Sequence, residues 1–523
     1  MFRHRMTVTA VLMALGCCGV EATLRAQRPV PVEIRIQADR TVRRMQGGIG
    51  ASFHAIEEPK PGQRPTGGVW AGSAWGANPP AEDEAAWKSL FHYANWLGLD
   101  WCRVELEQRM YEPRRRRFEW DNAEMRILYR ILDWAEKQGV DVFLQQMWSN
   151  VEWNAYPEMR ATMEGRLRSA PLSIDDFAYG LGELLQHLTK VKGYRCIRWL
   201  SINNEPGWDW SWWQGPDGQP VPITPAFAAV RKELDRRGIT VPLSGPDWTD
   251  LPDLEPERID FDSYIGAYDL HSYNAYFDGI RFGYPLSVAE KRLARWAQWA
   301  HGRGKPMFLS ELGTMAFGFV GKEPGPGVYE SGLKDAALVV RGIRAGVDGF
   351  NRWSFINRGD LDGQWQMVDT WDIDEGKLKD HFTPHPNTYY LFGLLSRFTA
   401  KRSDVLPANV EGKFDPGARQ LAAAVLRSPR GHISVLVVNE MYWDADAKIT
   451  ITGLSGRTLL YRYSITGADR DRTDVVVKPA AKFDLDASRS SVTDRIPRLS
   501  VTVYSTYELD HGQPGVMAEN DSK

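Results

Sequence analysis

The chain has 523 residues, 43% of them hydrophobic and 25% charged, a globular composition long enough for one large domain and a smaller one. Lys and Arg number 64 against 67 Asp and Glu, a net charge of −3 that argues against nucleic acid or an anionic membrane as partner.

In chain order, Met1–Arg5 is basic and precedes an apolar run from Val8 to Val20, with small residues offering cleavage after Ala22 or Ala26. Residues 1–26 therefore read as a signal peptide, too short to span a bilayer, and imply a secreted or periplasmic protein. Cys17 follows Ala-Leu-Gly, a poor match to a lipoprotein signal, so lipid anchoring there is the weaker expectation. Val32, Ile34 and Ile36 alternate within residues 27–44, which predicts a strand joining a C-terminal sheet domain.

From 45 to 400 one unit repeats: a helix, a glycine, then a strand. The junctions are Leu97-Gly-Leu-Asp-Trp-Cys-Arg-Val104, Gln138-Gly-Val-Asp-Val-Phe-Leu144, Arg237-Gly-Ile-Thr-Val-Pro-Leu243, Arg303-Gly-Lys-Pro-Met-Phe-Leu309 and Ala345-Gly-Val-Asp-Gly-Phe350. Helix starts are marked by Asp121 or Asn122, by Ser173-x-x-Asp176 and Ser287-x-x-Glu290 as capping boxes, and by Thr224-Pro225. Alternating helices and strands imply parallel β-structure with right-handed crossovers. Strands are predicted near 45–51, 100–105, 140–146, 197–203, 240–245, 265–271, 306–311 and 347–353, a (β/α)₈ barrel, with a doubly wound sheet as the alternative. Gln46-Gly-Gly-Ile-Gly50 lacks the context of a dinucleotide fingerprint, and no cofactor is expected.

After a helix near 386–399 the pattern turns to period two, with strands at Leu421–Leu426, Ile433–Asn439, Lys448–Thr452, Leu459–Ile465 and Leu499–Tyr507. Residues 401–510 thus read as an antiparallel sandwich, and 511–523 as a loose polar tail. Cys102 and Cys196 remain after cleavage, too few for a disulfide framework, and read as buried small hydrophobes. With 10 His and no His-x-His opening a strand, no metal site is expected.

In such a barrel chemistry sits where strands end. One strand runs into Asn204-Glu205-Pro206 and another into Ser310-Glu311, placing two carboxylates at separate strand mouths. Glycoside hydrolysis needs such a pair, one protonated to assist the leaving oxygen and one held ionised by donors to attack the anomeric carbon. The 21 tryptophans fit this chemistry, since indole faces cover the axial C–H face of sugars.

Asn204-Glu205-Pro206 at the end of the fourth strand and Ser310-Glu311-Leu-Gly at the end of the seventh resemble the retaining glycoside hydrolases of clan A, including its cellulase-like, glucosylceramidase-like and β-xylosidase-like families. The resemblance covers about 45–400, and almost the whole mature chain where those families carry a trailing sandwich. It implies Glu205 as acid/base and Glu311 as nucleophile, with Asn204 bonded to the sugar 2-hydroxyl. It implies Arg103 beside the nucleophile, His271 and Tyr273 positioning it, and Trp148 and Trp353 as subsite walls. Leu312 and the preceding Asn203 depart from any single family's signature, so the sugar is not transferred.

The loop Gly207-Trp-Asp-Trp-Ser-Trp-Trp213 follows Glu205, and its indoles, Trp208 first, are expected to stack on the aglycone side. Arg114–Arg117 reads as a solvated turn. The expected partner is an oligo- or polysaccharide; the competing reading is a non-catalytic carbohydrate-binding barrel.

Overall fold

A computed structural model describes residues 29–55, 77–206, 212–249, 255–274, 286–314, 328–357, 365–372, 375, 377–412 and 420–516. The proposed signal peptide, Cys17 and Trp208 lie outside them.

Two strands, β1 (Val30–Gln37) and β2 (Arg43–Arg44), precede the barrel. The barrel strands are β3 (Ile49–His54), β4 (Trp101–Glu107), β5 (Asp141–Trp148), β6 (Ile197–Ser201), β7 (Leu243–Thr249), β8 (Ile265–Asn274), β9 (Met307–Thr314) and β10 (Gly349–Arg352). They pair in parallel in the closed order β10-β3-β4-β5-β6-β7-β8-β9, which excludes the doubly wound alternative. Helices α1 (Glu84–Leu97), α2 (Gln108–Tyr111), α3 (Ala123–Gln138), α4 (Met163–Arg168), α5 (Ile174–Gln186), α6 (Thr224–Arg236), α7 (Leu286–His301) and α8 (Val328–Ala345) fall between the strands.

Each junction glycine carries a positive φ: 63° at Gly98, 69° at Gly139, 62° at Gly238, 70° at Gly304 and 109° at Gly346. At Gly98 and Gly139 the left-handed turn closes the helix by returning N–H groups to Asn95 and Ala135, and any side chain would strain it. Asn122 accepts from Met125 N–H and Ser173 from Asp176 N–H, as caps should. Ser287 is not a cap, because α7 already begins at Leu286.

A hairpin, β11 (Val368–Asp372) and β12 (Lys377–Pro384), follows the barrel and leads to α9 (Tyr389–Ser396). The remaining strands are β13 (Asp404–Leu406), β14 (Ala408–Gly412), β15 (Leu421–Arg427), β16 (Ile433–Asn439), β17 (Ala445–Thr452), β18 (Thr458–Ile465), β19 (Ala481–Leu485), β20 (Ser491–Ile496) and β21 (Ser500–Ser505). They form a sheet ordered β14-β1-β17-β20 and another ordered β19-β18-β21-β16-β15-β13-β2. The N-terminal segment therefore supplies a strand to each sheet: Ile34 pairs with Ile449 and Val410, while Arg43 pairs with Val405.

One face of β15 and β16 packs with β1 and β17, burying Val425, Val435, Val437, Ile34 and Ile449. Their opposite face, with Ala422, Ala424, Leu436 and Val438, joins the barrel core through α8 and α9. Residues 511–516 are docked rather than loose: Arg397 donates to the carbonyls of His511 and Gln513, and Val516 is buried. Cys102 and Cys196 are buried free thiols, and burial pushes both thiols up. No helix among the described residues is long and apolar enough to cross a membrane.

Candidate active site

The carboxyl ends of the barrel strands converge on Glu205 and Glu311. A carboxylate oxygen of each, with a nitrogen of His271, lies within 4.8 Å of the others. Both glutamates are almost wholly buried, Glu205 at 9% and Glu311 at 4% exposure.

Glu311 is held from two sides. Arg103 Nη1 donates to its Oε1 and the Tyr273 hydroxyl to its Oε2, the latter at 2.5 Å. Arg103 also donates through Nη1 to Glu105 Oε1 and through Nη2 to Asn204 Oδ1 at 2.8 Å, and lies 3.5 Å from Asp247 Oδ2. Burial, with Glu105 and Glu205 adding like charge, pushes the Glu311 carboxyl up to about 7 against the pull of Arg103 and His271. The donors expected from the sequence are in place, but desolvation outweighs them.

His271 bridges two acids, with Nδ1 at 2.8 Å from Glu205 Oε1 and Nε2 at 2.9 Å from Asp247 Oδ1; Nδ1 is also 3.3 Å from Glu311 Oε2. Burial opposes a charge on the ring, yet Glu311 and Asp247 outweigh it and hold His271 well above the usual histidine range. A doubly protonated ring satisfies both contacts as donor. His271 thus touches both glutamates, and lies nearer to Glu205 than to Glu311, the partner expected from the sequence.

Asp247 was not legible as a site residue. It lies in the second half of β7, in Ser244-Gly-Pro-Asp247, and its sequence signal was a polar residue near a strand mouth. It is fully buried and also takes Gln145 Nε2 at 3.0 Å. Burial would raise its pKa, but His271 and Arg103 bring it below the usual aspartate value. Its N–H donates to Asp269 Oδ1 at 2.8 Å, and burial together with the Asp247 charge pushes Asp269 up to about 8.

Trp353 is 2% exposed and its Nε1 donates to Glu105 Oε1 at 3.0 Å, so it stands beside the arginine pair. Trp148 ends β5 as expected and is buried within the barrel's hydrophobic cluster. Trp212 and Trp213 are not ligand-facing: they are 0% and 1% exposed, pack edge-on against Phe177, and Trp212 Nε1 donates to the Ser169 carbonyl at 2.7 Å. Arg115 and Arg116 each pair with Asp176, at 2.8 and 2.7 Å, pinning their turn to α5.

The Glu205, His271 and Glu311 spacing would admit a cation, but the donor set is spent internally. Both His271 nitrogens face carboxylates, and Arg103 already brings a positive charge to Glu311.

No known family profile and no curated protein matches the chain by sequence. Among solved structures, a thermostable α-L-arabinofuranosidase of family 51 from Thermotoga petrophila superposes with TM-score 0.61 at 13% identity, covering 91% of this chain and 99% of its own. A glucosidase from Croceicoccus marinus gives 0.58 at 12%, covering 91% and 99%. A family 30 subfamily 8 xylanase from Clostridium acetobutylicum gives 0.56 at 13%, covering 90% and 99%. At these identities the likeness is one of fold alone, and it extends over about nine-tenths of the chain.

Proposed function

We propose that the chain is a retaining glycoside hydrolase of β-linked glycans, with Glu311 as nucleophile and Glu205 as acid/base. The observation that carries this reading is the approach of their carboxylate oxygens within 4.8 Å. Retaining enzymes hold their carboxyl groups about 5–5.5 Å apart, whereas inverting ones need about 6.5–9.5 Å to admit a water.

Glu311 attacks the anomeric carbon while Glu205 gives its proton to the departing glycosidic oxygen. Glu205 then takes a proton from the water that cleaves the glycosyl–Glu311 ester. His271 donates to Glu205 in its ionised intervals, and Arg103 and Tyr273 orient Glu311. Because Arg103 occupies Asn204 Oδ1, the Asn204 amide N–H is left for the sugar 2-hydroxyl. Trp148 and Trp353 serve as subsite walls in this reading. The basic and then apolar N-terminus supports export.

Aryl β-D-xylosides, β-D-glucosides and α-L-arabinofuranosides, chosen after the named structural neighbours, form the test panel. Glu311→Ala is expected to lose activity by about 10⁴-fold or more, and azide should then yield a glycosyl azide inverted relative to the substrate. Full activity in Glu311→Ala would refute the assignment. A second reading, a metal-dependent hydrolase, would use the Glu205, His271 and Glu311 spacing, and the carboxylates on both His271 nitrogens and the Arg103 charge count against it. A chelator leaves the rate unchanged under the first reading and abolishes it under the second.

A further inference from the structure

Behind the nucleophile's arginine lies a buried carboxylate for which the double displacement has no use. Glu105 sits on β4 two residues beyond Arg103, and neither side chain is exposed at all. Its Oε1 accepts from Arg103 Nη1 and from Trp353 Nε1, the latter at 3.0 Å. Its Oε2 lies 2.5 Å from Nδ1 of His54, a fully buried residue ending β3. The same Arg103 nitrogen, Nη1, donates to Glu311 Oε1.

Resting on the glycosidase reading, we propose that Glu105 is a positioning residue that shares Arg103 Nη1 with Glu311 and so sets how firmly that guanidinium holds the nucleophile. Nη1 carries two N–H bonds, one for each carboxylate, so the competition is electrostatic: two buried anions draw on one guanidinium charge. Each unit of negative charge left on Glu105 weakens the attraction of Arg103 for Glu311 and repels Glu311 directly. His54 and Trp353 draw on Glu105 from the other side and temper that competition. The charged groups facing Glu311 are Arg103 and Glu105 from β4, Glu205 beyond β6, and His271 with Tyr273 from β8; Asp247 and His54 act one contact further out. Glu105 is the one carboxylate in this set that shares a nitrogen donor atom with Glu311 without belonging to the reacting pair. The Glu105 carboxyl lies below its ordinary range: burial opposes ionisation, but His54 and Arg103 overcome it.

The test is the ionisation of Glu311 in the intact protein, read by carboxyl NMR of ¹³C-labelled glutamate and assigned with Glu311→Gln. In Glu105→Gln the Glu311 midpoint is expected to fall by about one pH unit, and the acid limb of kcat/KM to move with it. Glu105→Met, which also removes the charge, is expected to shift it the same way. An unchanged or raised midpoint in a folded variant overturns the proposal, as does failure of both variants to fold, which would make Glu105 purely structural. The NMR midpoint requires no turnover. A wild-type protein inert on every glycoside, with a midpoint that still falls, would therefore sink the glycosidase reading and leave the charge sharing standing.

Discussion

The backbone N–H of Glu205 donates to the carbonyl oxygen of Asp247 at 3.0 Å, and both residues hold left-handed backbone, with φ of 42° and 60°. Such conformations cost about 1–3 kcal/mol each outside glycine and persist where surrounding contacts over-determine them. Here those contacts are the His271 ring and the Asp269 carboxyl.

Asp247→Asn isolates the side chain, since asparagine tolerates the left-handed backbone. Glu311 and Asp247 together hold His271 protonated; the amide removes the second of these charges and sets an N–H group among donors. We expect kcat/KM to fall about 10²-fold and the fold to lose roughly 3 kcal/mol. Steady-state kinetics with thermal unfolding checks both, and unchanged values would show that Asp247 does not support the site.

The pH profile follows from burial. Attack requires ionised Glu311, whose carboxyl is pushed up to about 7, so kcat/KM of the free protein should fall as pH drops through about 7. Stability moves the other way. The folded protein binds this proton more tightly than an unfolded chain with a value near 4.5, so Glu311 costs increasing stability as pH rises from 4.5 to about 7. Melting temperatures of wild type and Glu311→Gln across that window should therefore diverge upward in pH, with the variant more stable. An acid limb near 4.5 would contradict the burial argument.

Ile34 is fully buried between β14 and β17. Ile34→Ala should cost about 2–5 kcal/mol in denaturant unfolding while leaving kcat near wild type, because the cavity opens in the sandwich. A stability change below about 0.5 kcal/mol would argue that β1 is dispensable.

Trp212→Phe leaves the Ser169 carbonyl without its indole donor and should cost about 1–3 kcal/mol. KM for oligosaccharides should not change. A several-fold rise in KM at unchanged stability would restore the stacking role that the sequence suggested.

The barrel was legible because five helix-to-strand junctions carry a glycine in a left-handed turn, and because strands and helices alternate along the chain. Glu205 and Glu311 were legible because one closely follows the apolar strand β6 and the other interrupts the apolar run of β9. His54 and Asp247 were not, because a lone polar residue near a strand mouth carries no sign of its partners; only closure of the barrel sets His54 beside Glu105 and Asp247 beside His271. The role of Trp212 and Trp213 was misread because a tryptophan-rich loop looks the same in sequence whether it folds inward onto Phe177 or outward to solvent. The hairpin of β11 and β12 escaped notice because its strands, such as Lys377–Pro384, are short of apolar residues.

The central claim is double displacement through Glu311. Proton NMR during cleavage of an aryl glycoside by the intact protein tests it most directly, by identifying the anomer that forms before mutarotation. The account predicts that the first product keeps the configuration of the substrate; first appearance of the inverted anomer would contradict it.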